Sequence, residues 1–313
     1  MALQIENKLV IAVASSALFD LTESDSIFKA LGVDKYREYQ AANIDRPFKQ
    51  GVAFPFIKRM LSLNDAFAEE KPVEVVLMSR NSPETGLRVF RSIEHYGLGI
   101  TRASFTSGNP NYQYLPAFNA SLFLSANQND VEDALNLGYA AGRILNNEVI
   151  HDDENDKELR IAFDFDGVIA DDTSEAVYKK EGLDKYLNYE HDHAREPLNS
   201  GPIGSLLKKI SYYQKAERVL QKKDSSYKRT IKTYIVTARN APAHERVITT
   251  LGAWGVDVDE AFFLGGINKA RVLEIIRPHI FFDDQLTHLT NLKDVPAVHI
   301  PFGIANAKIG NHL

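Results

Sequence analysis

Four short apolar runs in the second half of the chain each stop at a chemically useful residue. Residues 160–163 precede Asp164, 232–236 precede Thr237, 261–264 precede Gly265, and 279–282 precede Asp283. Continuous apolar runs of this length, separated by amphipathic helical stretches, predict buried strands of a parallel sheet wrapped by helices. Between the first two runs lies a mostly polar, helix-like insert, about 173–228, long enough to form a cap. An earlier run, residues 9–19, follows a lysine and imitates a short signal peptide, but Glu6 beside Lys8 spoils its basic region. It reads instead as the first strand of an equivalent unit in the first half.

The reason for that reading is internal similarity. Gly32-Val33-Asp34-Lys35-Tyr36 recurs as Gly182-Leu183-Asp184-Lys185-Tyr186. In the same order Ile11-Ala12 meets Ile161-Ala162, Gly51 meets Gly201, Arg80-Asn81 meets Arg239-Asn240, and Ser107-Gly108 meets Gly265-Gly266. A shared α/β pattern explains matching apolar positions, but not matching Gly, Pro and Asp-Lys-Tyr. The expectation is an internal duplication giving two tandem Rossmann-like parallel-sheet units. One spans 1–150 and the other 159–313, joined by the charged linker 151–158 and with the helical cap insert in the second.

Composition changes the picture little. The 313 residues suit about two domains, and a net charge of -6 gives no electrostatic reason to expect a nucleic-acid polymer or an anionic membrane as partner. No run approaches the length of a membrane-spanning helix. The chain has no cysteine, which excludes disulfides, thiolate metal sites and a cysteine nucleophile, and fits a reducing, cytoplasmic setting.

The chemistry sits where open α/β sheets bind ligands, beyond the carboxyl ends of the strands. Alternation along extended chain puts Asp164 and Asp166 on one side with Phe165 turned away, and Gly167 permits a sharp turn. Thr237 offers a hydroxyl, Lys269 a cation at the start of a helix after Gly265-Gly266, and Asp283-Asp284 a carboxylate pair. These are the parts for hydrolysing a phosphate monoester: an attacking carboxylate in Asp164, an acid/base in Asp166, and phosphoryl binders in Thr237 and Lys269. A hard Mg²⁺ would be held by Asp164 and one of Asp283 or Asp284.

In that order Asp164-Phe165-Asp166-Gly167-Val168, Thr237, Lys269 and Asp283-Asp284 resemble the four motifs of the haloacid dehalogenase superfamily. The resemblance implies a nucleophile, an acid/base, phosphate binders and Mg²⁺ ligands at those positions, with the backbone carbonyl of Asp166 also on the metal. Nearly the whole chain further resembles the cytosolic type I 5'-nucleotidases. It does so through Ala53-Phe54-Pro55-Phe56, Thr106-Ser107-Gly108-Asn109, Tyr234-Ile235-Val236-Thr237-Ala238-Arg239 and Ile276-Arg277-Pro278-His279-Ile280-Phe281-Phe282-Asp283-Asp284-Gln285. That likeness implies a nucleoside 5'-monophosphate as substrate, AMP and deoxynucleotides included, contacted by Gly167, Ala238 and Arg239. Two other readings stand beside it: a phosphatase or phosphotransferase acting on another small phosphate ester, and a non-catalytic nucleotide sensor. Base preference, nucleotide regulation and homo-oligomer formation stay open.

The first half lacks the same equipment. Ala14 stands in place of Asp164, Ser16 in place of Asp166, and Met78 or Ser79 near the Thr237 position. Its strand ends carry Arg80, Asn81, Ser107, Gly108 and Asn109, which either help grip the nucleoside or an effector, or serve packing. Asn81 and Asn240 are expected as helix caps, Trp254 and Phe19 as core, and His191-Asp192-His193 and Lys222-Lys223 as solvated surface. His288 is expected behind the metal ligands at most.

Overall fold

The computed structural model describes residues 5–145, 152–153 and 155–307. The expected linker 151–158 therefore lies partly outside the described residues. The chain divides into two compact units, residues 1–152 and 153–313.

In the first unit the chain runs β1 (Leu9–Ala14), α1 (Ser15–Leu18), β2 (Phe19–Asp20), α2 (Thr22–Ala42), β3 (Lys49–Gln50), α3 (Phe54–Ala66), β4 (Val73–Ser79), α4 (Pro83–His95), β5 (Arg102–Phe105), β6 (Leu122–Ser125), α5 (Gln128–Asn136) and β7 (Ala141–Ile144). Apart from the small antiparallel β2–β3 pair, its strands are parallel, in the order β7-β6-β1-β4-β5. All six residues of β1 are buried, so the run that imitates a signal peptide is the central strand. Phe19 is fully buried and packs against Phe48, Phe54 and Tyr96.

In the second unit come β8 (Leu159–Phe163), α6 (Thr173–Glu181), α7 (Leu183–Asp192), α8 (Gly204–Lys223), β9 (Ile231–Thr237), α9 (His244–Ala253), β10 (Glu260–Phe263), α10 (Ala270–Ile276), β11 (Ile280–Asp283), α11 (Leu286–Leu289) and β12 (Ala297–His299). Its strands are also parallel, in the order β12-β11-β8-β9-β10. Position for position, the two units have the same strand order. The register agrees as well: Leu9 lies opposite Val73 as Leu159 lies opposite Ile231. Counted along these strands, Ser79, and not Met78, is the counterpart of Thr237.

Two expectations need correction. The insert is not all cap: α8 packs on β9, with Gln214 Nε2 donating to Thr233 Oγ1 at 3.0 Å, so it is the crossover helix that a parallel β8–β9 connection requires. The other two helices of the insert, α6 and α7, pack on each other, and α7 also on α9. Caps are also placed differently. Ser82, not Asn81, caps α4 by accepting from Thr85 N, with Pro83 in the first turn where its missing N–H costs nothing. The helix α9 starts beyond Asn240, after Ala243, without a side-chain cap. Trp254 is half-buried at the end of α9 with the Lys208 ammonium 4.5 Å over its ring, because the helix ends there and its last residue faces outward. His191, Asp192, Lys222 and Lys223 are exposed, as expected, but His193 is half-buried, its ring packed on Tyr189 and its Nδ1 2.7 Å from Tyr189 O.

Candidate active site

In the second unit the chain leaves β8 for β9 on one side and returns to β11 on the other, which opens a crevice at the carboxyl end of β8. Asp164 follows β8 directly, and Asp283 ends β11 beside it, where Phe163 lies opposite Phe282. Thr237 ends β9 on the other flank. The turn Phe165–Ile169 curls back from the strand, with Gly167 at φ +69°, a conformation that side chains disfavour. A Cβ there would also lie 2.6 Å from Asp284 Oδ2.

Lys269 is buried directly before α10, and its ammonium lies 2.7 Å from Asp164 Oδ2 and 2.7 Å from Asp283 Oδ2. Asp164 Oδ1 accepts from Phe165 N at 2.7 Å. Asp283 is saturated: beyond Lys269 it accepts from Gln285 N at 2.8 Å, and His288 Nδ1 lies 3.1 Å from each of its oxygens. Asp284 is the reverse case. It is 1% exposed, yet neither carboxylate oxygen meets a hydrogen-bond partner. Glu175 Oε2 on α6 is likewise buried and unpartnered.

The electrostatics follow from that inventory. Burial pushes the Asp164 carboxyl up to about 7 against the pull of Lys269, with Asp283 adding to the rise. Burial, Asp164, Asp283 and Glu175 together push Asp284 up to about 10. Burial works against Asp283 too, but Lys269 and His288 hold its carboxyl below the usual range. Burial opposes charge on Lys269, but Asp164 and Asp283 hold its ammonium above the usual lysine range. Asp164 and Asp283 share the Lys269 ammonium, while Asp284 beside them has no partner. A buried anion without a partner is costly, so this set favours an added cation of oxygen-ligand preference. Asp164, Asp283 and His288 also lie close enough together to share one ion, but Asp283 already has its partners, and the bare carboxylate is Asp284.

Asp164, Asp166, Thr237, Ala238 and Arg239 line a cavity of about 420 Å³, with Gly265 and Gly266 at one wall. The helices α6 and α7 supply Glu175, Tyr178, Lys179, Leu183 and Tyr186 to its other wall. None of these five was read from the sequence as a site residue, although Leu183 and Tyr186 lie in the repeated stretch, because a polar helical insert gives no signal of which face it turns inward. Arg239, expected as a substrate contact, lines the cavity with its guanidinium engaged by protein partners. It is 4% exposed, and its Nε and Nη2 donate to Asp166 Oδ2 and Oδ1 at 2.7 Å each, while Nη1 pairs with Glu190 and with Ala243 O. Thr237 Oγ1 accepts from Arg239 N at 3.2 Å.

The first-half candidates gather at their own strand ends. Ser107 N donates to Asn81 O and Gly108 N to Arg80 O, which joins the loops after β4 and β5. Arg80 forks onto Asp130, Tyr36 Oη donates to Asn81 Oδ1 at 3.0 Å, and Asn109 Nδ2 turns back to Thr106 O at 3.1 Å.

A family model described as 5'-nucleotidase matches residues 1–307. The chain belongs to the 5'-nucleotidase family. It is similar to human cytosolic 5'-nucleotidase 1B, with 36% identity over 297 residues, covering 91% of this chain and 47% of that protein. The chain thus spans about half the length of the curated relative it matches. No solved structure matches. Among the described residues, no helix is long and apolar enough to cross a membrane.

Proposed function

We propose that this member of the 5'-nucleotidase family hydrolyses nucleoside 5'-monophosphates, AMP and deoxynucleotides among them, to nucleoside and phosphate in the cytoplasm. The observation that carries the reading is Lys269 bridging Asp164 and Asp283 at 2.7 Å each, beside a bare Asp284, at the edge of one cavity. A carboxylate held against an ammonium, with an anionic neighbour awaiting a cation, suits attack on a phosphoryl group.

In this reading Asp164 attacks phosphorus, the bond to the 5' oxygen breaks, and Asp166 gives that oxygen its proton. Asp166 then takes a proton from water, whose oxygen attacks phosphorus and breaks the acyl-phosphate bond, restoring Asp164. Thr237 and Lys269 hold the remaining phosphoryl oxygens. Asp164 and Asp284 would hold Mg²⁺, with Asp283 serving to orient Lys269 and His288. When bound, the ion supplies positive charge opposite the phosphoryl oxygens. The helices α6 and α7 close over the nucleoside as the cap.

The shared strand order of the two units supports descent from one duplicated unit. The first is then a degenerate copy, with Ser79 at the Thr237 position, Ser125 at the Asp283 position and Asn111 at the Lys269 position. Its neutral groups suit hydrogen bonding to a nucleoside or effector rather than phosphoryl transfer.

Phosphate release from a panel of nucleoside and sugar monophosphates, with Mg²⁺ and then with chelator, tests the proposal. Turnover of nucleoside monophosphates that stops with chelator and in Asp164→Asn is expected. Equal turnover of every ester, or activity that survives Asp164→Asn, would remove the reading.

A further inference from the structure

We infer that Glu190 on α7 is a positioning residue for the proton transfers of Asp166, acting through Arg239; this rests on the acid/base role proposed for Asp166. Glu190 is 0% exposed and is gripped from three directions. Arg239 Nη1 pairs with its Oε2, Arg246 Nη1 donates to its Oε1 at 2.9 Å, and Ser174 Oγ on α6 donates to the same Oε1 at 2.7 Å. The Arg239 guanidinium is thus fixed on its far side by the cap helix, while its near side forks onto both oxygens of Asp166. It packs over the Phe165 ring at 5.3 Å, which leaves it little freedom to turn. When Asp166 carries a proton on one oxygen, the other oxygen stays on Arg239. The carboxyl then pivots about a fixed point instead of rotating freely, and reach is what proton transfer requires of it.

The first unit provides an internal control. At the positions of Asp166 and Glu190 it has Ser16 and Gln40. The strand register corrects the sequence pairing by one residue, putting Asn81 and not Arg80 at the Arg239 position, where Asn81 N donates to Ser79 Oγ as Arg239 N does to Thr237 Oγ1. At these three positions the charges are absent together. Arg246, by contrast, is matched by Arg88, which keeps the same supporting bonds. Arg88 Nε donates to Arg46 O as Arg246 Nε donates to Glu196 O, both at 2.9 Å. Ser92 Oγ donates to Arg88 O as Thr250 Oγ1 donates to Arg246 O. Gln40 sits where Glu190 does, 2% exposed, and accepts from Arg88 Nη1 at 3.1 Å. Both units fill this place with the arginine and a side chain of that length. The negative charge accompanies only the unit that carries the catalytic aspartates.

The test is Glu190→Gln, which gives the second unit the residue the first unit folds with. Steady-state kinetics are compared on a nucleoside 5'-monophosphate and on its analogue with sulfur in place of the bridging 5' oxygen. A thiolate leaves without a proton, so the analogue reports the reaction with little demand on Asp166. Expected is a fall in kcat of about 10-fold or more on the oxygen ester, KM within about 3-fold, and a distinctly smaller fall on the sulfur ester, in the same direction as Asp166→Asn but weaker. Equal falls on both esters, or no fall, in a Glu190→Gln protein whose Asp166→Asn counterpart discriminates between them, would overturn the positioning role alone. Failure of Asp166→Asn to discriminate would overturn the acid role of Asp166 and the inference with it. Glu190→Asp, which keeps the charge but shortens its reach to Arg239, is expected to show the same selective loss; wild-type kinetics there would count against the inference.

Discussion

Lys269 holds the site together because it is the sole cation set directly between the carboxylates of Asp164 and Asp283 among the described residues. Lys269→Met is expected to cut turnover by about 100-fold or more, since it removes a fixed charge from the place where phosphoryl charge develops. It also leaves two buried carboxylates facing each other, so chemical denaturation should show a loss of roughly 3–5 kcal/mol at high pH and less at low pH, where the carboxylates protonate. Wild-type stability at pH 8 would show that the ion pair does not carry that load. Asp164 and Asp284 are raised to about 7 and about 10, so the metal-free folded chain binds more protons than the unfolded chain between about pH 4 and 10. These two groups therefore destabilise the fold progressively as pH rises through that window. A cation at the site removes the penalty, so the gain in Tm from Mg²⁺ should be larger at pH 9 than at pH 5; an equal gain at both would contradict the placement. Most of these residues were legible because each follows an apolar run, and a strand buried on both faces announces where it ends. The distinction between Asp283 and Asp284 was not, since only coordinates show that Lys269, His288 and Gln285 N saturate one and leave the other bare.

At the scale of elements, the turn Phe165–Ile169 brings backbone and Asp284 so close that only glycine fits. Gly167→Ala meets both a positive φ and a Cβ placed 2.6 Å from Asp284 Oδ2. It is expected to lower kcat by about 10-fold or more and to destabilise by about 1–3 kcal/mol, measured by turnover and thermal unfolding. Unaltered kinetics would mean that the turn has room the geometry denies it. Four of the five strands of the second unit could be read from the sequence to within a residue or two, whereas β12, three residues long, was not read. Its insert could not be divided. A helix that crosses back over the sheet and a helix that walls a cavity both look polar with scattered apolar positions, and only burial separates them: α8 buries Leu206, Leu207, Ile210 and Tyr213, whereas α7 buries Glu190. Glu190 was missed for the same reason: within Tyr189-Glu190-His191-Asp192-His193 it looks like one more solvated charge, although it is fully buried.

For the molecule as a whole, the two units repeat one strand order with different residues at the strand ends. The sequence repeat made the correspondence visible, and the strand register settled Ser79 as the partner of Thr237. What the sequence does not show is how the first unit's neutral strand-end groups are paired and buried. Ser15 Oγ lies 3.1 Å from Ser79 Oγ, and Asn111, at the Lys269 position, is 1% exposed. Placing aspartates there by Ala14→Asp with Ser16→Asp, in an Asp164→Asn background, should give no phosphate release, because Asn111 and Ser125 stand where the second unit has Lys269 and Asp283. Recovered turnover would show that the first unit retains catalytic potential.

Acid-quenching the protein during steady-state turnover of a ³²P-labelled nucleoside 5'-monophosphate with Mg²⁺, followed by peptide mapping, tests most directly whether these groups converge on one phosphoryl group. Label on the peptide bearing Asp164, lost on brief alkaline treatment and absent from Asp164→Asn, is expected. Sustained turnover with label on another residue, or with none on the protein at any quench time, would contradict it.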